Sequence, residues 1–403
     1  MPPTPSSTTT SDSGSHRFSA PYVQRHNRRF LREVPAYPLP VDLPELHRQA
    51  LRTSLLIDVF GTPINSKLKR PPARILELIC GGAVWSLKCD QHLKRLGYHD
   101  VSFTGVDIAP LAPDLRKYGV NWRFIQHDLR KPPLPFGEEF DLIMVSDGTT
   151  VMPSAKDIQN NPMIALKKYL RPGGCVEVIE TDYIFRCLQP EPARPPGTSS
   201  RNVEQANKTA TYVVGPATAF SKSPNPFFIE YNKWVEKVFQ ERDFTTTPCA
   251  TMSYGVATEM LGYEKIESRR VAIPFTNIRW ENDVESDGLQ GEGATPNVST
   301  GKKVGKGQGL TKASASIEEA KPLTSGQAAL RMTALNIITG LIESMEPILM
   351  KESGKKQDEW DRWWSMMMND LYEKNGAFNG ECIEAGVWWA RREDEESDSD
   401  DDD

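Results

Sequence analysis

The sequence predicts an α/β, doubly wound fold built on a mostly parallel seven-stranded sheet. A helical lead-in precedes the sheet, and a helical insertion comes before its last strand. Three observations predict it. From Arg74 to Leu188 short apolar runs alternate with helical stretches, the pattern of a parallel sheet covered on both faces. "RILELICGGAVWS" (74–86) joins a buried strand to a helix through a glycine turn, where open α/β sheets hold ligands. The last strand-like run, "GECIEAGVWWARR", arrives only after a long aperiodic stretch and two helical patterns.

The elements follow in order. Residues 1–20 are rich in Pro, Ser and Thr and predict a disordered tail. In 21–70, Leu46, Leu51, Leu55 and Leu56 recur at helical spacing, which predicts the lead-in. The core spans 71–280. Its first strand is "RILELI", followed by the helix "VWSLKCDQHLKRLG", which ends at Gly97. "SFTGVDI", "NWRFIQHD" and "FDLIMVSD" are the next three strands. The helix "NPMIALKKYL" and a turn at "RPGG" lead into the fifth, "CVEVIETD". Beyond a Pro-rich break, "NPFFIEYNKWVEKVFQERDF" is an amphipathic helix and "YEKIESRRVAIPF" the sixth strand. Residues 281–325 have no periodicity and predict a flexible insertion. In 326–392, "QAALRMTALNIITGLIESMEPILM" and "EWDRWWSMMMNDLYEK" are helices, and the seventh strand closes the sheet. Residues 393–403 carry nine acids and no base, an acidic disordered tail.

That tail accounts for the net charge of −6; the remainder is close to neutral or slightly basic. Such a balance argues against a nucleic-acid-binding surface, and the arginines between 17 and 32 match no known nucleic-acid-binding module. Six cysteines show no CxxC pair and no cluster with histidine at metal-ligand spacing. They predict a reduced, cytoplasmic or nuclear protein without a metal site. No apolar run reaches about 18 residues, so no membrane span is expected. Protein partners, if any, are expected at the tails.

The glycine turn decides the ligand class. Taking Gly81 as the first glycine of G-x-G-x-x-G puts Ala83 second and Ser86 third, so the dinucleotide frame fails twice. No GK[ST] follows, so a P-loop fails as well. Phosphate is therefore a poor candidate, and a nicotinamide-dependent oxidoreductase is disfavoured.

Read as E-x-G-x-G-x-G, the stretch aligns Glu77, Ile79, Gly81 and Ala83. Asp107 ends the second strand in "FTGVDIAP", Asp128 the third in "FIQHDLRKPPLPFGEEFDLI", and "LKKYLRPGGCVEVIE" forms the fifth. With this ordered set the chain resembles the class I S-adenosylmethionine-dependent methyltransferases over about 74–182. The lead-in "LPVDLPELHRQALRTSLLIDVFG" and the closing "GVWWARR" resemble, more narrowly, the velvet-associated regulator-type methyltransferases of filamentous fungi. The resemblance implies a Rossmann-like methyltransferase fold and S-adenosyl-L-methionine as cofactor. It implies a cofactor site of Glu77, Gly81, Ala83, Asp107, Asp128 and Leu129. In it Asp107 accepts from the ribose hydroxyls and Asp128 receives the adenine amino group. Leu129 flanks the ring, and the Gly81 backbone meets the methionine moiety.

Two positions depart from the motif. Ala83 adds one methyl group. Ile79 is β-branched and resists positive φ; its side chain either crowds the methionine end or turns beneath the sheet. A catalytically weak or inactive relative acting as an interaction partner is the rival reading.

The methyl acceptor, small molecule or protein, is not named by any motif. "SDGTTVMP" after the fourth strand contains no [DN]PP[YF], and Cys249 in "TPCATM" reads as a core cysteine. Asp147, Glu180, Asp182 and Tyr183 end strands on the ligand side and are candidates to orient or deprotonate an acceptor; no catalytic residue is assigned. Trp360, Trp363, Trp364, Met367 and Leu371 form one helical stripe. It serves either core packing or an aromatic acceptor pocket under a lid.

Overall fold

The computed structural model describes residues 21–131, 133–151, 165–252, 263–282, 322–374 and 376–393. The expected N-terminal tail, the acidic tail beyond Glu393, most of the expected flexible insertion and the start of "NPMIALKKYL" lie outside them.

In chain order the elements begin with the hairpin β1 (Tyr22–Arg25) and β2 (Arg28–Leu31), then α1 (Leu43–Phe60). The core opens with β3 (Arg74–Leu78), α2 (Val84–Arg95), β4 (Ser102–Asp107), β5 (Asn121–Gln126) and β6 (Phe140–Ser146). Then come β7 (Leu170–Thr181), β8 (Arg186–Leu188), α3 (Ser200–Thr209), β9 (Tyr212–Val214) and β10 (Phe220–Lys222). After α4 (Pro226–Gln240), β11 (Tyr263–Pro274) and α5 (Arg279–Asn282), three helices precede the last strand. They are α6 (Ser325–Ser344), α7 (Glu346–Ser353) and α8 (Gln357–Glu373), and the strand is β12 (Glu381–Arg392).

Among the described residues the sheet has ten strands of mixed direction, which corrects the seven mostly parallel ones expected. β7, β6, β3, β4 and β5 lie side by side in parallel. β12 pairs antiparallel with β7, and β11 antiparallel with β12. Strands β8, β9 and β10 extend that side. Each is three residues long, too short to show a period in sequence. Direction was hidden for a related reason: alternating apolar runs report burial, whereas direction depends on where each connection returns.

Burial alternates along the central strands. Ile75, Leu142 and Met144 enter one apolar cluster, and Leu76, Leu78, Ile143 and Val145 enter the other. The period of two puts these clusters on opposite faces, so the sheet is covered on both sides. The long helices α1, α2, α4, α6 and α8 pack into the first cluster.

Three local readings change. The lead-in holds a β-hairpin as well as a helix: His26 and Asn27, at φ 46° and 57°, make the two-residue turn that suits a right-twisted ribbon. "RPGG" is a bulge inside β7, because pairing with β6 jumps from Phe140↔Leu170 to Leu142↔Cys175. A Cβ on Gly174 there would come 2.9 Å from the Arg171 carbonyl oxygen, so only glycine fits. The tryptophan stripe is core. Trp360 and Trp363 lie 5.0 Å apart, Trp234 of α4 is 5.0 Å from Trp363, and the Trp363 indole donates to Glu230 Oε2 at 2.6 Å. None of the stripe lines the cleft described next, which removes the aromatic acceptor pocket.

Candidate functional site

β3 is flanked by β4 on one side and β6 on the other, so the strand order reverses there. The crevice beyond the carboxyl ends of strands at such a reversal is where open α/β sheets bind ligands. A cleft of about 1190 Å³, its open mouth included, lies at this point. Its floor is the turn after β3, Asp107 at the end of β4, His127–Arg130 after β5, and Ser146 and Asp147 where β6 ends. Its roof is the lead-in: Leu31, Tyr37, Leu39, Glu45, Gln49 and Arg52.

Five of the six expected site residues line this cleft, and Ala83 does not. Ala83 is fully buried and starts α2 with a left-handed backbone, φ 54°. It offers no side-chain cap. Glu77 supplies one from the neighbouring strand: its Oε2 accepts from the Ser86 amide at 3.2 Å and the Ser86 hydroxyl at 2.5 Å. Glu77 thus positions the turn by satisfying an orphan amide of the helix. Burial, with some repulsion from Asp107, pushes its carboxyl up to about 8 despite those bonds.

Gly81 is left-handed at φ 48°, and a Cβ on it would come 2.9 Å from Gln49 Oε1. Its amide donates to Asp107 Oδ2 at 2.9 Å, and the Ala109 amide donates to Oδ1 at 3.0 Å. Burial raises the Asp107 pKa and these amides oppose the rise. A carboxylate has about four acceptor sites, so Asp107 keeps capacity toward the cleft.

Asp128 is differently placed. Its oxygens accept from Arg130 Nε at 2.8 Å and Nη2 at 2.7 Å, with Lys131 Nζ at 3.7 Å. The Arg130 bonds hold its carboxyl below the usual range. Leu129 is half-buried against the second apolar cluster. Ile79 takes a left-handed backbone, φ 58°. Its side chain packs on that same cluster while one flank stays on the cleft wall.

Of the other strand-end candidates, Asp147 lines the cleft, again with a left-handed backbone, φ 55°. Glu180 is buried, its Oε1 accepting from the Thr149 amide at 3.0 Å. Burial and the Asp147 charge push it up to about 8. Asp182 is structural, tied to Arg186 at 2.7 Å and to the Cys249 amide at 3.0 Å. Cys249 is fully buried.

Residues of the lead-in were missed. Glu45, Arg48, Arg52, Leu55, Leu56 and Val59 form one buried stripe on α1. Its first half is charged, so the apolar period of Leu46, Leu51, Leu55 and Leu56 revealed the helix without marking Glu45, Arg48 and Arg52. Glu45 accepts from Arg48, Gln49 and the Ser344 hydroxyl. Tyr37 is held well above its ordinary pKa by burial and by the Glu45, Asp107 and Asp147 carboxylates, so it faces them as a neutral phenol. Proline at the start of α1 and the Asp42 cap were the available signals that a helix begins here.

No protein-family model and no curated protein sequence matches the chain. Similar solved structures include the plantazolicin methyltransferase BamL in complex with an analog and SAH. It is 13% identical, covers 87% of this chain and 88% of that one, and has a TM-score of 0.34. Another is the N-methyltransferase NodS from Bradyrhizobium japonicum, 17% identical over 42% of this chain and 85% of that one, TM-score 0.24. A third is human N-acetylserotonin methyltransferase in complex with SAM, 17% identical over 33% and 34%, TM-score 0.21. Among the described residues no helix is long and apolar enough to cross a membrane.

Proposed function

We propose that the protein is an S-adenosylmethionine-dependent methyltransferase. The observation that carries this reading is the convergence of the Gly81 turn, Asp107 and Leu129 on one cleft at the strand-order reversal. The residues present fit the cofactor. Asp107 offers spare acceptor sites for a pair of ribose hydroxyls, and charge assistance strengthens such bonds. The Gly81 turn presents backbone with no Cβ between it and the cleft. Leu129 supplies an apolar flank for a flat ring, and Asp128, already paired with Arg130, receives an amino group through its remaining lone pairs. When bound, the cofactor supplies an activated methyl group. The chain's residues orient it, and the lead-in roof excludes water.

The finer likeness to the velvet-associated methyltransferases of filamentous fungi rests on 39–61 and 386–392, and the first of these segments supplies part of the roof of the cleft. The chain is further proposed to work in the cytoplasm or nucleus, where its six buried cysteines, none in a disulfide, stay reduced. Protein partners are proposed at the tails.

Calorimetric titration with S-adenosylmethionine tests the assignment. The wild type binds, and Asp107→Ala binds at least about tenfold more weakly, since even a single bond to a charged group contributes about 1.5–3 kcal/mol. No heat with the wild type leaves the interaction-partner reading. Unchanged affinity in the variant places the site elsewhere.

A further inference from the structure

Helix α1 roofs the cleft by crossing the carboxyl ends of the central strands. Gln49 Oε1 lies over the turn after β3, 2.9 Å from where a Cβ on Gly81 would stand. Three residues on, about 4.5 Å along the helix axis, Arg52 reaches the ends of β6 and β7. Its Nε donates to Thr181 Oγ1 at 3.1 Å. Its Nη2 lies 2.6 Å from Asp147 Oδ1 as an ion-pair contact without a directed hydrogen bond. A guanidinium carries five N–H donors, so Arg52 keeps several to spare, and both it and Asp147 line the cleft. Asp147 Oδ2 makes no hydrogen bond among the described residues. Arg48, one turn earlier, differs: Glu45 takes both its Nε and its Nη2, at 2.8 and 2.7 Å.

Asp107, the Gly81 turn and Asp147 stand at the ends of β4, β3 and β6, which are neighbours in the sheet. Neighbouring strands sit about 4.8 Å apart, so the three form a row with Asp147 last. The cofactor has the dimensions of this row. With its ribose at Asp107 and its thioether chain along the Gly81 turn, its α-carbon lies three bonds beyond the sulfur, about 4 Å. That is close to one strand spacing, and it ends at the Arg52–Asp147 pair.

We infer that the Arg52–Asp147 pair clamps the amino-acid end of the cofactor, Arg52 taking the α-carboxylate and Asp147 the α-ammonium. The inference rests on the methyltransferase reading above. A guanidinium with spare N–H groups matches a planar carboxylate in shape and charge, and an ammonium suits the open oxygen of Asp147. The pair is neutral and so is the zwitterion it receives, so each buried charge gains an opposite partner and no net charge is added. A lone arginine or a lone aspartate would meet half of such a ligand and leave the other half unpaired. The backbone holds the acid in place: Asp147 takes φ 55°, a left-handed conformation of the kind that gathers at ligand clamps. Its amide donates to the Ile179 carbonyl of β7 at 3.1 Å. Affinity is thereby graded by the amino-acid end, apart from the adenosine that Asp107, Asp128 and Leu129 meet.

Three ligands that share the adenosine are the probes, titrated calorimetrically. They are S-adenosylmethionine, its decarboxylated form, which keeps the amine alone, and methylthioadenosine, which has neither charge. Wild type binds S-adenosylmethionine at least about tenfold more tightly than the decarboxylated form, which lacks the charge-assisted fork. Arg52→Gln removes that preference by weakening S-adenosylmethionine. It leaves methylthioadenosine within about threefold of wild type, which also reports that it folds. Asp147→Asn weakens the decarboxylated form at least about tenfold and likewise spares methylthioadenosine. Equal wild-type affinity for S-adenosylmethionine and its decarboxylated form overturns the clamp. So does an undiminished preference in Arg52→Gln, or a loss of methylthioadenosine affinity as large as that of S-adenosylmethionine. If Arg52→Gln does not fold, the wild-type preference and the near-isosteric Asp147→Asn decide. All these outcomes leave the methyltransferase reading standing, whereas a wild type that binds none of the three overturns both.

Discussion

Ile79 at φ 58° shows how one position can keep a motif's backbone without its glycine. A left-handed, β-branched residue costs about 1–2 kcal/mol, and the packing of its side chain on the second cluster offsets part of that. Ile79→Gly removes both the strain and about 1 kcal/mol of half-buried side chain. Urea unfolding is therefore expected to move by no more than about 1 kcal/mol, and S-adenosylhomocysteine affinity by less than about threefold, within the additivity of small local effects. Tightening beyond tenfold would show that the side chain occupies cofactor space. Glu77 makes the pH prediction. Burial raises its carboxyl from 4.5 to about 8. Between these values the folded protein keeps a proton that the unfolded chain has released, so unfolding releases it and stability falls as pH rises. Below 4.5 and above 8 this contribution is flat. Glu180, raised to about 8, acts in the same direction. Glu77→Gln keeps an acceptor for Ser86 and should flatten the fall between pH 5 and 8, by up to about 1.4 kcal/mol per pH unit. Urea midpoints at the two pH values measure it, and parallel curves for variant and wild type would contradict it.

Helix α1 carries two jobs on one stripe. Its second half, Leu55, Leu56, Val59 and Phe60, enters the first apolar cluster, while its first half turns charge toward the cleft. That division explains why its leucine spacing revealed a helix but not a binding wall. Helix α8 is simpler. Trp360, Trp363, Met367 and Leu371 are all buried, facing Trp234 and Phe227. Trp363→Ala is expected to cost about 3–5 kcal/mol of stability, as large aromatic deletions in cores do. Cofactor affinity should be unchanged at temperatures where the variant is folded. A specific loss of affinity at full folding would return the stripe to the site.

Across the whole molecule, distant segments close one structure. Arg331 of α6, 1% exposed, donates to Glu281 and to the Ala210 and Thr276 carbonyls. It joins the inserted helices to the sheet edge. Glu384 of β12 meets Arg186 at 2.7 Å and Arg270 Nε at 2.5 Å, which pins the late strand among its neighbours. The sequence by itself determined the α/β class, the long central strands, the helices α2, α4 and α8, and the glycine turn after the first strand; that Asp107 and Leu129 belong beside that turn was implied by the family resemblance. Those features are local: periodicity, glycine placement and strand-end acids act within a few residues. Only the tertiary structure decided that β12 runs antiparallel between β7 and β11, and that Glu77 caps α2. It alone showed that Asp128 is already paired with Arg130 and that Arg48 and Arg52 are buried beside Glu45 and Asp147. Strand direction is set by where a connection returns, and a buried charge becomes intelligible only beside its partner. Neither is written in the spacing of nearby residues.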